Sequence, residues 1–197
     1  MDVNIFLFND FETLDIFGPT EILGCIEDYN LHYFSEYGGM IINAQGVRVM
    51  TEPISISNKG GILVIPGGIG TRLLVTDISF LHTLREIADK SCFCLSICTG
   101  SALLAKCGVL DYKRATSNKR VLEWVKSMSD KVKWIDKARW VVDEKFYTSS
   151  GVSAGMDMTL GFICDRFGKG KATEIANLIE YVWNDQCTND IFVKSSS

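Results

Sequence analysis

Cys98 stands where an apolar run, Phe93-Cys94-Leu95-Ser96-Ile97, gives way to Thr99-Gly100-Ser101 and a helix-like stretch, Ala102-Leu103-Leu104-Ala105. A residue at a tight strand-to-helix turn points its side chain out of the top of a sheet. The following helix directs its positive end at that side chain, which favours the thiolate, the reactive form of cysteine. The N–H groups of such a turn are free to hold a developing negative charge. Cys98 therefore fits a thiolate nucleophile. The same pattern also fits a small buried core thiol, because free cysteine packs as a small hydrophobe. Pro66-Gly67-Gly68 ends a second apolar run, Ile62-Leu63-Val64-Ile65. It is either a plain turn or a place where Gly68, with no side chain, brings a bare N–H to a substrate beside the N–H of Thr99. Leu14-Asp15-Ile16-Phe17-Gly18-Pro19 follows the first apolar run. Taken alone, Asp15 reads as an acid at a helix start, where its charge is favoured.

The rest of the chain narrows the chemistry by exclusion. Its seven cysteines are an odd number scattered through apolar segments, which argues against a disulfide framework and for a reducing cytoplasm. With only two histidines, His32 and His82, and no zinc-like Cys/His spacing, no metal is expected. Neither the GxGxxG nor the GxxxxGK[ST] pattern occurs, so no nucleotide and no other cofactor is expected. A net charge of −4 leaves no extended basic surface for nucleic acid. The apolar stretches are of strand length, so no membrane span is expected, and MDVNIFLFND lacks the basic start of a signal peptide.

The elements that must hold these residues alternate. Apolar runs at Val3–Phe8, Leu31–Ser35, Ile62–Ile65 and Cys92–Ile97 predict buried parallel strands. Short strands at Ile41-Ile42 and Val47–Val49 suggest a hairpin around Gln45-Gly46, and Asp143-Glu144-Lys145 suggests another between Trp140–Val142 and Phe146–Thr148. Helical patterns run over Leu14–Ile26, Asp77–Lys90, Gly100–Cys107, Arg120–Met128, Ser153–Phe167 and Lys171–Trp183. This order predicts an α/β fold: a mostly parallel sheet with helices on both faces and its ligand site beyond the carboxyl ends of the strands. One domain is expected over 1–190, with a frayed tail over 191–197. The four tryptophans, Met156 and Met158 read as packing residues, and Glu21 and Asp157 as local caps or pairs.

Five stretches in order, Asp15–Pro19, Pro66–Gly68, Ile97–Gly100, Arg114–Thr116 and Gly151–Asp157, resemble the DJ-1/PfpI superfamily, and most closely its isonitrile hydratase-like branch. The resemblance extends through Tyr181. It implies a flavodoxin-like three-layer sandwich, a homodimer, and Cys98 as the nucleophile of a strained elbow. It further implies Asp15 as the acid beside the thiol, with Gly68 and Thr99 supplying oxyanion-hole amides. The sequence departs from the family at Asn118, where a histidine commonly follows the Ala-Thr-Thr-like stretch. Without that base a Cys-His-acid peptidase loses its proton shuttle. Asn118 itself suits a neutral donor and acceptor in the pocket.

Two functions from different classes follow. One is a small-molecule enzyme, a hydratase or lyase in which the Cys98 thiolate attacks the terminal carbon of an isonitrile while Asp15 handles the protons and Thr99 assists. The other is a sensor without turnover. It is either a redox thiol that stops at an oxidised state or a ligand-binding domain like those fused to AraC-like transcription regulators. Those regulators add a helix-turn-helix region that is not expected in this chain.

Overall fold

The computed structural model describes residues 1–56 and 60–193; residues 194–197 of the expected tail lie outside them. The chain opens with β1 (Asp2–Phe6), α1 (Thr13–Gly24), β2 (Asn30–Ser35), β3 (Gly39–Ile42) and β4 (Arg48–Pro53). It continues through β5 (Ile62–Ile65), α2 (Thr71–Leu74), α3 (Ile78–Lys90), β6 (Phe93–Ser96) and α4 (Gly100–Lys106). The remainder is β7 (Arg114–Ala115), α5 (Leu122–Lys126), β8 (Lys133–Trp134), β9 (Trp140–Asp143), β10 (Phe146–Ser149), α6 (Ala154–Phe167) and α7 (Lys169–Leu178).

Eight strands form one sheet in the order β3-β4-β2-β1-β5-β6-β10-β9. The inner strands β2, β1, β5, β6 and β10 are parallel, and the two edge pairs, β3/β4 and β9/β10, are the antiparallel hairpins expected from the turn residues. Val3, Ile5 and Phe6 of β1 and all four residues of β5 are buried, which is why these strands read as continuous apolar runs. Burying each such side chain contributes about 1.5–3 kcal/mol.

Helices cover both faces. On one, α1 packs against α6 and α6 against α7; on the other, α4 touches α2, α3 and α5. Helix α3 shows how the sequence sets this arrangement. Asp77 caps it by accepting from the Phe80 N–H at 3.0 Å, and Phe80, Leu84, Ile87 and Ala88 bury one face of it against the core. Among the described residues no helix is long and apolar enough to cross a membrane.

Three elements differ from expectation. The last helix ends at Leu178, not Trp183, and Glu180 takes a left-handed φ of 51°. The chain turns there because Asp157 captures the next segment: its carboxylate accepts from the Tyr181 hydroxyl and the Asn184 N–H, and its carbonyl accepts from the Trp183 indole. Asp157 is therefore no local cap; it also pairs with Arg139, eighteen positions away. The expected helix from Arg120 divides into a 3-10 turn at Lys119–Val121 and the short α5. Finally, β7 and β8 form a small parallel pair that no hydrophobic pattern announced, being two residues long each.

Candidate functional site

Four adjacent parallel strands end side by side, and each releases one piece of the site. After β1 the chain enters α1, which carries Asp15; after β5 come Gly67 and Gly68; after β6 comes Cys98; and after β10 come Ser150, Gly151 and Val152. The turn following β7 adds Asn118. The register of the strands is thus what gathers residues spread from position 15 to position 152.

Cys98 has φ 54°, a left-handed backbone that side chains rarely adopt. Its neighbours impose it. The Cys98 N–H donates to the Ser150 carbonyl at 3.2 Å, and the Cys98 carbonyl accepts from the hydroxyls of Ser117 at 2.8 Å and Ser101 at 3.0 Å. A left-handed L-residue costs roughly 1–2 kcal/mol, which these bonds offset. The turn aims the sulfur at three N–H donors: Asn118 Nδ2 at 3.0 Å and the backbone N–H groups of Thr99 and Val152.

Asp15 is fully buried. Its Oδ2 accepts from the Gly67 N–H at 2.8 Å, Oδ1 has no hydrogen-bond partner, and the Cys98 thiol interacts with the carboxyl group. Burial, more than anything else, pushes the Asp15 carboxyl from 3.8 up to about 8; the charge of Glu12 adds to this, while the Gly67 N–H and the Cys98 thiol oppose it. Burial first, and then the Asp15 charge, push the Cys98 thiol from 9.0 up to about 12 against its three donors. The expectation that the helix end lowers the thiol in the resting protein is therefore corrected. Helix α4 does begin beside the sulfur, but desolvation in a nearly closed site outweighs a helix terminus.

The glycine pair has a steric reason. A Cβ on Gly67 would lie 2.5 Å from the Thr99 nitrogen and 2.9 Å from Cys98 Cβ. Gly68 has φ 131°, and its N–H donates to Thr99 Oγ1 at 3.0 Å. That N–H is thus satisfied within the chain, and a substrate would reach it only by replacing the Thr99 hydroxyl. Thr71 Oγ1 in turn donates to Thr99 Oγ1 at 3.2 Å, tying α2 to the elbow.

A cavity of about 220 Å³ opens beside the elbow, lined by Asn118, Lys119, Ser150, Gly151, Val152 and Phe192 among others. A larger one, about 430 Å³, lies at the ends of β1 and β2 and includes none of Asp15, Cys98, Thr99 or Asn118. The smaller cavity is the one that reaches the elbow's surroundings, through Asn118 and Val152, both of which donate to the Cys98 sulfur. Among the described residues no cluster of His, Cys, Asp and Glu is arranged to hold a metal ion. The structure brings together Asp15, Gly68, Cys98, Thr99 and Asn118. Sequence reasoning missed Val152, whose contribution is a backbone N–H. Val152 carries a signal only in the structure, a φ of 46° at a β-branched residue.

The chain matches the model of the DJ-1/PfpI family over residues 1–164. It is 25% identical over 182 residues to an isonitrile hydratase from Pseudomonas putida, covering 92% of this chain and 78% of that protein. It is also 25% identical over 149 residues to the HTH-type transcriptional regulator CdhR of Pseudomonas aeruginosa, covering 75% of this chain but 44% of the regulator. Among solved structures, a ThiJ/PfpI family protein from Pseudomonas syringae superposes with a TM-score of 0.81 at 21% identity, over 93% of this chain and 76% of that one. DJ-1beta of Drosophila melanogaster gives 0.77 at 19% identity, over 92% and 98%. The flavodoxin-like fold, the elbow and the match along most of its length agree: the chain belongs to the DJ-1/PfpI family.

Proposed function

We propose that the protein is a cysteine-dependent small-molecule enzyme that hydrates an isonitrile to an N-substituted formamide. The observation that carries this reading is the Cys98 sulfur, held by a left-handed elbow under three N–H donors and facing a buried acid that keeps its proton to about pH 8. The similarity to an isonitrile hydratase over 92% of the chain supports the substrate class.

The chemistry balances as follows. The Cys98 sulfur bonds to the terminal isonitrile carbon. Asp15 gives its proton to that carbon and takes the thiol proton, leaving a thioimidate and an acid in its original state. Water then adds to the same carbon, one of its protons passing to the nitrogen. The carbon–sulfur bond breaks, the second water proton returns to sulfur, and the formamide leaves. The N–H groups of Thr99 and Val152 and the Asn118 amide steady the charge that grows on sulfur as its proton departs. Asn118 has no basic nitrogen, so the site lacks the shuttle a peptidase needs.

The test is formamide production from an alkyl isonitrile, followed by chromatography. Turnover that disappears in Cys98→Ser supports the reading. No turnover of any isonitrile by a protein whose Cys98 alkylates normally would sink it. The partial match to CdhR favours a second reading, a ligand-sensing domain. In that case a metabolite would raise the melting temperature of Cys98→Ser as much as that of the native chain, with no product formed.

A further inference from the structure

Arg72 sits one residue after Thr71, whose hydroxyl is bonded to Thr99 beside the nucleophile. Helix α2, which carries it, packs on α4, which begins just after the elbow. The Arg72 guanidinium carbon lies over the Trp124 ring, 3.1 Å from its centre. A cation–π contact of this kind restrains the group without using its N–H donors. Nη1 is buried without a hydrogen-bond partner, and among the described residues no carboxylate pairs with this arginine. A desolvated guanidinium nitrogen left unsatisfied is costly and calls for an acceptor. Burial is the main influence on the Arg72 guanidinium and lowers its pKa, and a thiolate at Cys98 would counter that effect.

We propose that Arg72 is the specificity residue of the site and takes the carboxylate of an anionic substrate, a small electrophile whose reacting carbon lies a few bonds from a carboxyl group. The orphan Nη1, the contact with Trp124 and the bond linking α2 to Thr99 point to one function: a restrained fork on the helix tied to the elbow, whose N–H groups a carboxylate can match with two parallel hydrogen bonds. The inference rests on Cys98 as the nucleophile and names the substrate class. Within the isonitriles it selects an isocyano acid over a neutral alkyl isonitrile.

Two electrophiles of the same shape, iodoacetate and iodoacetamide, differ in the charge next to the reacting carbon. Their alkylation rates at Cys98 are read by mass spectrometry, with exposed Cys92 as the internal standard. The iodoacetate-to-iodoacetamide ratio at Cys98 is expected to exceed that at Cys92 by about tenfold or more, the size of a charge-assisted hydrogen bond. It is expected to fall to the Cys92 value in Arg72→Met and to an intermediate value in Arg72→Lys. Taking the ratio removes any change in thiol ionisation. Equal ratios at the two cysteines, or a ratio that Arg72→Met leaves in place, would overturn the proposal.

If neither reagent modifies Cys98, the nucleophile reading fails and equilibrium binding decides the anion site on its own. N-formylglycine, the formamide that an isocyano acid would yield, and its methyl ester are titrated calorimetrically into Cys98→Ser and into Cys98→Ser/Arg72→Met. The acid is expected to bind the first variant at least tenfold more tightly than the ester and to lose that preference in the second. Failure of the acid to bind, equal binding of acid and ester, or a preference that survives the loss of Arg72 would each overturn the anion site.

Discussion

Asp15 and Cys98 face each other in a site where a charge on either is costly. The carboxyl is held up to about 8 and the thiol up to about 12, burial being the main cause for both. The Asp15 charge raises the thiol further, so the two groups favour a resting state in which both are protonated. A neutral acid next to a neutral thiol reacts more slowly with an ordinary electrophile than a free thiolate does. It becomes useful when the substrate carbon itself accepts a proton as the sulfur attacks, because the acid then supplies one proton and takes another.

From this pairing a pH profile follows. Turnover is expected to hold below the Asp15 transition near 8 and to fall above it, as the proton donor is lost. Asp15→Asn is expected to cost roughly 10²–10⁴-fold in kcat and to abolish the falling limb. Stability carries the same signature. The folded chain keeps the Asp15 proton to about 8, whereas an ordinary carboxyl releases it near 3.8, so the folded state binds an extra proton across that interval. Stability contributed by this group is present below 3.8 and declines as pH rises to about 8. Urea denaturation at pH 5 and pH 8.5 is expected to show a smaller difference in Asp15→Asn than in the native chain.

Asn118 donates to the sulfur at 3.0 Å and, through Oδ1, accepts from the Arg120 N–H at 2.9 Å, which fixes the direction of its amide. Asn118→Ala removes a donor that favours the thiolate. Alkylation of Cys98 by iodoacetamide at a fixed pH near neutrality is expected to slow by about tenfold, with the titration of the thiol displaced upward. An unchanged rate would mean that Asn118 lies beside the sulfur without acting on it.

Gly67 tests how tightly the site is built. Gly67→Ala would place a methyl group 2.5 Å from the Thr99 nitrogen and 2.6 Å from Thr99 Oγ1, and backbone cannot yield there cheaply. The variant is expected to lose several kcal/mol, in the range of overpacked cores, and to release the Gly67 N–H from Asp15. Thermal melting checks the first effect. The second is checked by the pH at which Cys98 alkylation responds to Asp15.

Much of this site was legible before any coordinates. The apolar runs at β1, β5 and β6 marked buried parallel strands, and residues at their ends, Asp15, Gly68 and Cys98, lie together because parallel neighbours in register end together. Asn118 was legible as a departure from a family pattern, though its bond to the sulfur was not. Three features left no trace in the residue pattern. Val152 acts through its main chain, which no side-chain type reveals. Arg72 looks like an ordinary surface residue of a short helix until Trp124, fifty-two positions on, is folded against it. Asp157 reads as a helix-start acid, and its partners Arg139, Tyr181 and Asn184 come from segments without periodicity. The ionisation of Cys98 was misjudged for a related reason: a helix end is visible in sequence, whereas the depth of burial is not.

That Asp157 cluster carries the last prediction. Asp157 Oδ2 accepts from Arg139 Nε at 2.6 Å and Nη2 at 2.5 Å, and Asp190 Oδ1 lies 3.8 Å from Arg139 Nη1, with all three residues buried. Removing one partner of such a pair leaves a charge in a medium that cannot solvate it, at a cost of about 3–5 kcal/mol. Asp157→Asn is therefore expected to lower the melting temperature by roughly 10 °C or more. Arg139 also donates its N–H to the Cys187 carbonyl and accepts from the Ser150 N–H, beside the carbonyl that holds Cys98. The variant should consequently loosen the 181–190 segment and the elbow together. Hydrogen exchange would read both, as faster exchange at the Asn184 and Cys98 amides. Faster exchange at Asn184 alone would confine Asp157 to anchoring the C-terminal segment, and would detach it from the geometry of the nucleophile.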